Sequence, residues 1–240
     1  MLKTLILSAA AAGLAAGLLT AVVQHVTTTP IIIEAETYES GSAAGPPGHM
    51  PAAASAAVPA ELAENTAGPE AEWDPDNGFE RTLYTSLSTT LVGVGFGLAL
   101  LGAMVLAGVR IEARTGLAFG MAGFVAVALA PALGLPPEIP GSGAAALESR
   151  QVWWFATMAA TAIGLAGLLL TRTIYLQIGG AVLIAMPHIV GAPRPNEFVS
   201  TAPAELAGHF AAASLAVTAM FWAVLGFASG AFYERLARTE

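Results

Sequence analysis

Apolar residues in this chain come in long, nearly unbroken runs, without the one-sided periodicity of a soluble helix. A helix needs about 20 such residues to cross the hydrocarbon core of a bilayer. Runs of that kind cover residues 1–30, 84–109, 115–135, 151–171, 174–190 and 204–233. The pattern predicts an all-α, polytopic transmembrane helical bundle of about six helices. Five are possible, because the run from Ile174 to Val190 is short. Lys3 ahead of an Ala/Leu/Gly stretch is also compatible with a secretory signal. The length of the run and the lack of a small-x-small cleavage site favour a retained helix, stopped near Pro30.

One polar stretch interrupts the series. The chain divides into transmembrane helix 1 over residues 1–30, an outer acidic, Pro/Ala-rich loop over 31–82, and a membrane domain over 83–240. The loop opens with Ile31-Ile32-Ile33-Glu34-Ala35-Glu36. Ser40–Pro69 is aperiodic and rich in Ala, Pro and Gly, and disorder is expected there. Glu70–Arg81, with Trp73 and the turn residues Asp76-Asn77-Gly78, is expected to dock on the membrane domain. Gly13/Gly17, Gly93/Gly97, Gly116/Gly120 and Gly226/Gly230 repeat the small-xxx-small spacing that lets membrane helices approach closely.

Charge orients the bundle. Only 11% of residues are charged, against about 25% in a soluble domain. With the N-terminus in the cytoplasm, Lys3, Arg110, Arg114, Arg172, Arg235 and Arg238 fall inside, and Arg81, Arg150 and Arg194 outside. That is the positive-inside arrangement. The acids do the opposite, with 14 of the 17 on the outer side. Cysteine is absent, which removes disulfides and thiolate sites. Lys3 is the only lysine, so a Walker A phosphate loop is excluded. No dinucleotide fingerprint and no catalytic triad is readable, and enzymatic activity is not expected. Nothing basic is clustered, so nucleic acid is excluded as a partner. No acid sits in the middle of an apolar run, so no mid-membrane carboxylate relay is visible.

The candidate chemistry lies on the outer side. His25, His49, His188 and His209 all fall there, His188 inside a Met186-Pro187-His188 motif. Each can be read as an ordinary interfacial residue, but four on one side point to a shared role. Glu205 and His209 stand i,i+4 on one helix face. Glu34 and Glu36 follow helix 1. Imidazole with carboxylate and no thiolate suits a borderline divalent ion such as Co²⁺, Ni²⁺ or Zn²⁺. The candidate metal-handling set is therefore His25, His188, His209, Glu34, Glu36, Glu205 and His49. No tightly bound cofactor is expected, because the metal would be cargo. If His25, His188 and His209 share one ion, their ring nitrogens must converge to within roughly 4 Å. Arg81 and Arg150 are expected to pair with acids such as Glu80 and Glu148. Trp153 and Trp154 are expected to anchor the membrane interface.

Several blocks carry a resemblance. They are Pro30–Glu39, the residues Trp73, Pro75, Gly78, Arg81 and Thr82, then Gly134–Gly141, Arg150–Trp154 and Pro187–Pro193. Together they resemble the CbtA family of proposed bacterial cobalt transporter components, over nearly the whole chain. The resemblance implies a permease component of the bacterial inner (plasma) membrane, importing cobalt for cobalamin synthesis. It also implies a partner, a small His-rich single-helix subunit similar to CbtB. Family members often carry several histidines in the first outer loop, whereas this chain has only His49 there. The family is usually drawn with five spans against the six read here. The alternative reading is a membrane scaffold that positions the partner helix and has no ion path of its own.

Overall fold

The computed structural model describes residues 1–43, 78–195 and 200–238. His49 and Trp73 lie outside the described residues, as do most of the stretch expected to be disordered and the docking expected before Gly78. Seven helices are described: α1 (Leu2–Val26), α2 (Thr28–Ala43), α3 (Phe79–Leu106), α4 (Ala113–Ala132), α5 (Leu147–Leu170), α6 (Ile174–Val190) and α7 (Ala204–Ala237). Five of them, α1, α3, α4, α5 and α7, are long and apolar enough to cross a membrane, and α6 is a shorter apolar helix. The fold is a helical membrane bundle. An isolated antiparallel bridge between Ser142 and Ser200 ties two outer loops together.

Pro30 does not stop the first helix. The helical path breaks at Thr27 (φ −118°, ψ −71°) and resumes at Thr28. Pro30 then sits in the first turn of α2, where the N–H it lacks would have no helical partner. The acidic stretch thus begins as a helix. Its Ile31 and Ala35, one turn apart, are buried, and Ala35 packs with Ile139 and Ala202. The start of α3 also precedes the expected Tyr84. Gly78 caps it with φ +111°, a left-handed conformation that favours glycine.

Three antiparallel seams hold the crossings together. Ala9, Gly13 and Gly17 of α1 meet Gly97, Gly93 and Thr90 of α3 in reverse order. Gly116 and Gly120 of α4 meet Gly226, Gly230 and Trp222 of α7. Gly164 and Gly167 of α5 meet Gly180 and Leu176 of α6. At each of these glycines backbone of the neighbouring helix lies where a Cβ would stand, joined at Gly164 by the Ile184 side chain. A Cβ on Gly93 would stand 2.7 Å from the Gly13 carbonyl oxygen, and one on Gly180 would stand 2.5 Å from that of Gly164. In lipid no hydrophobic force drives helices together, so close van der Waals contact over small residues does that work. Between the first two seams lies a core of Ala12, Ala16, Leu100, Phe124, Trp222 and Leu225.

The third seam shows how far α6 runs along α5. Its start, Leu176, lies against Gly167 near the end of α5, and Pro187 near its own end lies against Trp153. The 17 residues of α6 rise roughly 25 Å, so α6 retraces nearly the full depth of its partner. All three pairs being antiparallel, successive crossings alternate, which fits six crossings and the charge pattern. Among the described helices, α6 packs against α5 alone.

The α4 crossing contains one wide turn. Val125–Leu129 is π-helical, and the Ala130 N–H donates to the Val125 carbonyl. Pro131 follows one residue later and is fully buried. Proline cannot donate an N–H, and its ring presses on the carbonyl four residues back, here Val127. The π turn absorbs that conflict and keeps α4 continuous as far as Ala132.

Two glycines of α3 test the seam. Gly93 is pressed on Gly13, whereas a Cβ on Gly95 meets nothing within 4 Å. Gly93→Leu is expected to lower the melting temperature in detergent sharply, overpacking costing about 1–3 kcal/mol or more. Gly95→Leu is expected to be neutral or to stabilise by up to about 1 kcal/mol through helix propensity. Thermal unfolding followed by size-exclusion chromatography reads both.

Candidate functional site

The described histidines take three separate positions at the outer end. His25, in the last turn of α1, is exposed and borders a groove of about 100 Å³ between α1, α2 and α3. Ala21, Thr29, Ile33, Arg81, Thr85 and Ser86 also line it. His188, in the last turn of α6, is half-buried, and its ring lies edge-on to Trp153 with centroids 6.0 Å apart. His209 is exposed near the start of α7, one turn beyond an equally exposed Glu205. Among the described residues, no three of the His, Asp and Glu side chains stand together as a metal-holding group. The structure therefore brings these histidines to one face without converging them on a single ion.

The two loop carboxylates differ. Glu34 is exposed on α2, and its backbone carbonyl accepts from Thr37 Oγ1 at 2.7 Å. Glu36 is partly buried and holds the Arg81 guanidinium through both oxygens, at 3.3 Å from Nη1 and 2.5 Å from Nη2. This fork joins residues 45 positions apart and fixes α2 to the first turn of α3. For Glu36 to take a metal, Arg81 must first let go. The second outer pair is Arg150 Nη2 with Glu138 Oε2 at 2.8 Å. Arg150 thus fastens the proline-rich loop to α5, where Glu148 was the expected partner.

Trp153 departs from its expected role. It is buried, not an interface anchor. Its indole N–H donates to the Pro187 carbonyl at 3.2 Å, and that carbonyl also accepts from the Gly191 N–H at 3.0 Å. Gly134 lies beneath the ring, where a Cβ would strike it. Trp153 therefore sets the backbone that carries His188. The signal was available: a tryptophan two residues into an apolar run and a Pro-His pair at the end of the next lie level in an antiparallel hairpin.

Five long apolar helices and a shorter sixth, with the described histidines at one end, define a multi-pass membrane protein. The family described as probable cobalt transporter subunit (CbtA) matches residues 2–234, and the chain belongs to it. No curated protein and no solved structure matches the chain.

The Glu36–Arg81 fork lends itself to a double-mutant cycle. With side chains 22% and 30% exposed, solvent screens the pair. Its coupling energy, from the thermal stabilities of Glu36→Gln, Arg81→Gln and the double variant, is expected to be about 0.5–1 kcal/mol. Zero coupling would mean that the fork does not hold α2.

Proposed function

We propose that this chain is a membrane permease component for uptake of divalent cobalt, with capture at the outer face. Membership of a cobalt transporter family across residues 2–234 carries the reading. The outer location of the histidines and of most of the acids supports it. An acidic face raises the local concentration of cations before they bind. His25, His188 and His209 are the imidazole ligands, with Glu34, Glu36 and Glu205 supplying oxygen and His49 a further imidazole in the outer loop. Because the described histidines stand apart, each holds a cation that keeps most of its water, and affinity at any one stays low. The same ligand chemistry accepts Ni²⁺. A small His-rich single-helix subunit in the bacterial inner membrane completes the set, and the cobalt serves cobalamin synthesis.

The rival reading is a scaffold that seats the partner helix and passes no ion. Uptake of radiolabelled cobalt into cells lacking other importers separates the two. The chain is tested with and without the partner, at matched protein levels. Uptake is expected with the native chain and is expected to fall by about tenfold in His188→Ala, the loss of one contact to a charged group. Uptake unchanged by Ala at 25, 188 and 209 alike would leave the histidines as interfacial caps. Absence of uptake in every combination would favour the scaffold.

A further inference from the structure

Below His25, α1 and α3 bury unpaired side-chain oxygens where a membrane interior should be dry. Among the described residues, five buried side-chain oxygens have no hydrogen-bond partner: Thr20 Oγ1, Gln24 Oε1, Thr90 Oγ1, Thr161 Oγ1 and Ser229 Oγ. Three of the five belong to the outer half of α1 and its partner α3. Leaving such an oxygen buried and unpaired costs about 1–3 kcal/mol. Hydroxyls in this region have an easy escape, which is to donate to the carbonyl one turn back. Thr82, Ser86 and Thr89 of α3 do so, and so does Thr27 at the end of α1. Thr20 and Thr90 do not.

Thr90 lies one turn below the groove wall on α3, and Thr20 and Gln24 lie on the adjoining turns of α1. Ala21 and Ser86 form part of that wall, and one turn deeper the same seam brings Thr90 against Gly17. Thr90 Oγ1 is only 3.0 Å from where a Gly17 Cβ would be, so the absence of a side chain at Gly17 is what leaves room for the hydroxyl. Gln24 and Thr20 are one turn apart on α1, each next in sequence to a groove-wall residue, His25 and Ala21. From His25 to the level of Gly17 the seam descends roughly 12 Å.

We propose that Gln24 Oε1, Thr20 Oγ1 and Thr90 Oγ1 form a transient oxygen-lined step for a partly hydrated divalent cation. The step lies immediately below His25 in the outer half of the membrane. It rests on the cobalt uptake proposed above and extends it to residues that carry no charge. Neutral oxygens replace part of the hydration shell without binding the ion tightly, as passage requires. Orphan acceptors in the resting seam match a ligand that comes and goes.

The test pairs stability with transport. Thr90→Val and Gln24→Leu remove an orphan oxygen at nearly constant shape. Without metal each is expected to raise the melting temperature of the purified chain by about 2–4 °C, since a desolvation penalty disappears. With cobalt chloride alone, stabilisation of the native chain is expected to be lost in these variants, and cellular cobalt uptake to fall by about tenfold. Thr161→Val in α5 and Ser229→Ala in α7 remove orphan oxygens elsewhere and are expected to keep both uptake and the cobalt-induced shift. Native-level uptake and cobalt shift in Thr90→Val and Gln24→Leu would overturn the proposal, leaving a bound water as the occupant. Equal losses in the two control variants would overturn it as well. If the native chain imports no cobalt, the uptake reading fails and the cobalt-induced shift alone decides whether this step binds metal.

Discussion

Backbone against backbone is the contact on which this bundle depends. At Gly13, Gly93, Gly116, Gly226, Gly164 and Gly180 a neighbouring helix occupies the space a Cβ would need. Lipid tails are as apolar as leucine, so burying leucine gains nothing between membrane helices. What remains is dispersion over a close, flat seam, and only residues without side chains allow it. The three seams fix three antiparallel pairs. Those pairs set which helix ends lie on the same side, and the candidate chemistry depends on that placement.

The seams were legible in the sequence for two pairs and hidden for the third. Gly13/Gly17 and Gly116/Gly120 show the four-residue spacing, as do Gly93/Gly97 and Gly226/Gly230. The α5–α6 seam uses Gly164 and Gly167 against a single Gly180, which no spacing rule marks. Helix 1 ends at Val26, close to the expected stop near Pro30, but Pro30 belongs to the first turn of the next helix, a position where proline is tolerated. The ion-pair partners were hidden as well. Glu36 and Glu138 are far from Arg81 and Arg150 in sequence, and folding brings them into reach. The unpaired oxygens could not be read at all, because threonine in a membrane helix ordinarily bonds to its own backbone.

The described histidines stand at dispersed positions on one face, with no three His, Asp or Glu side chains grouped among the described residues. The Glu36–Arg81 fork holds α2 in place beside the His25 groove, and Trp153 holds the turn that presents His188. Both devices fix the backbone around a candidate ligand. The absence of a charged side chain from the middle of the apolar runs leaves neutral oxygens as the polar atoms available at depth.

All of this requires His25, His188 and His209 to share one side of the membrane, which six crossings provide and five do not. The native chain has no cysteine, so single cysteines report without background. Each histidine is replaced by cysteine in turn, with Thr173→Cys and Arg238→Cys as inner markers, and intact cells are treated with a membrane-impermeant maleimide. Labelling at 25, 188 and 209 from outside, with 173 and 238 reached only after permeabilisation, is the predicted result. Labelling of 238 from outside, or of 188 only after permeabilisation, would contradict the shared outer face.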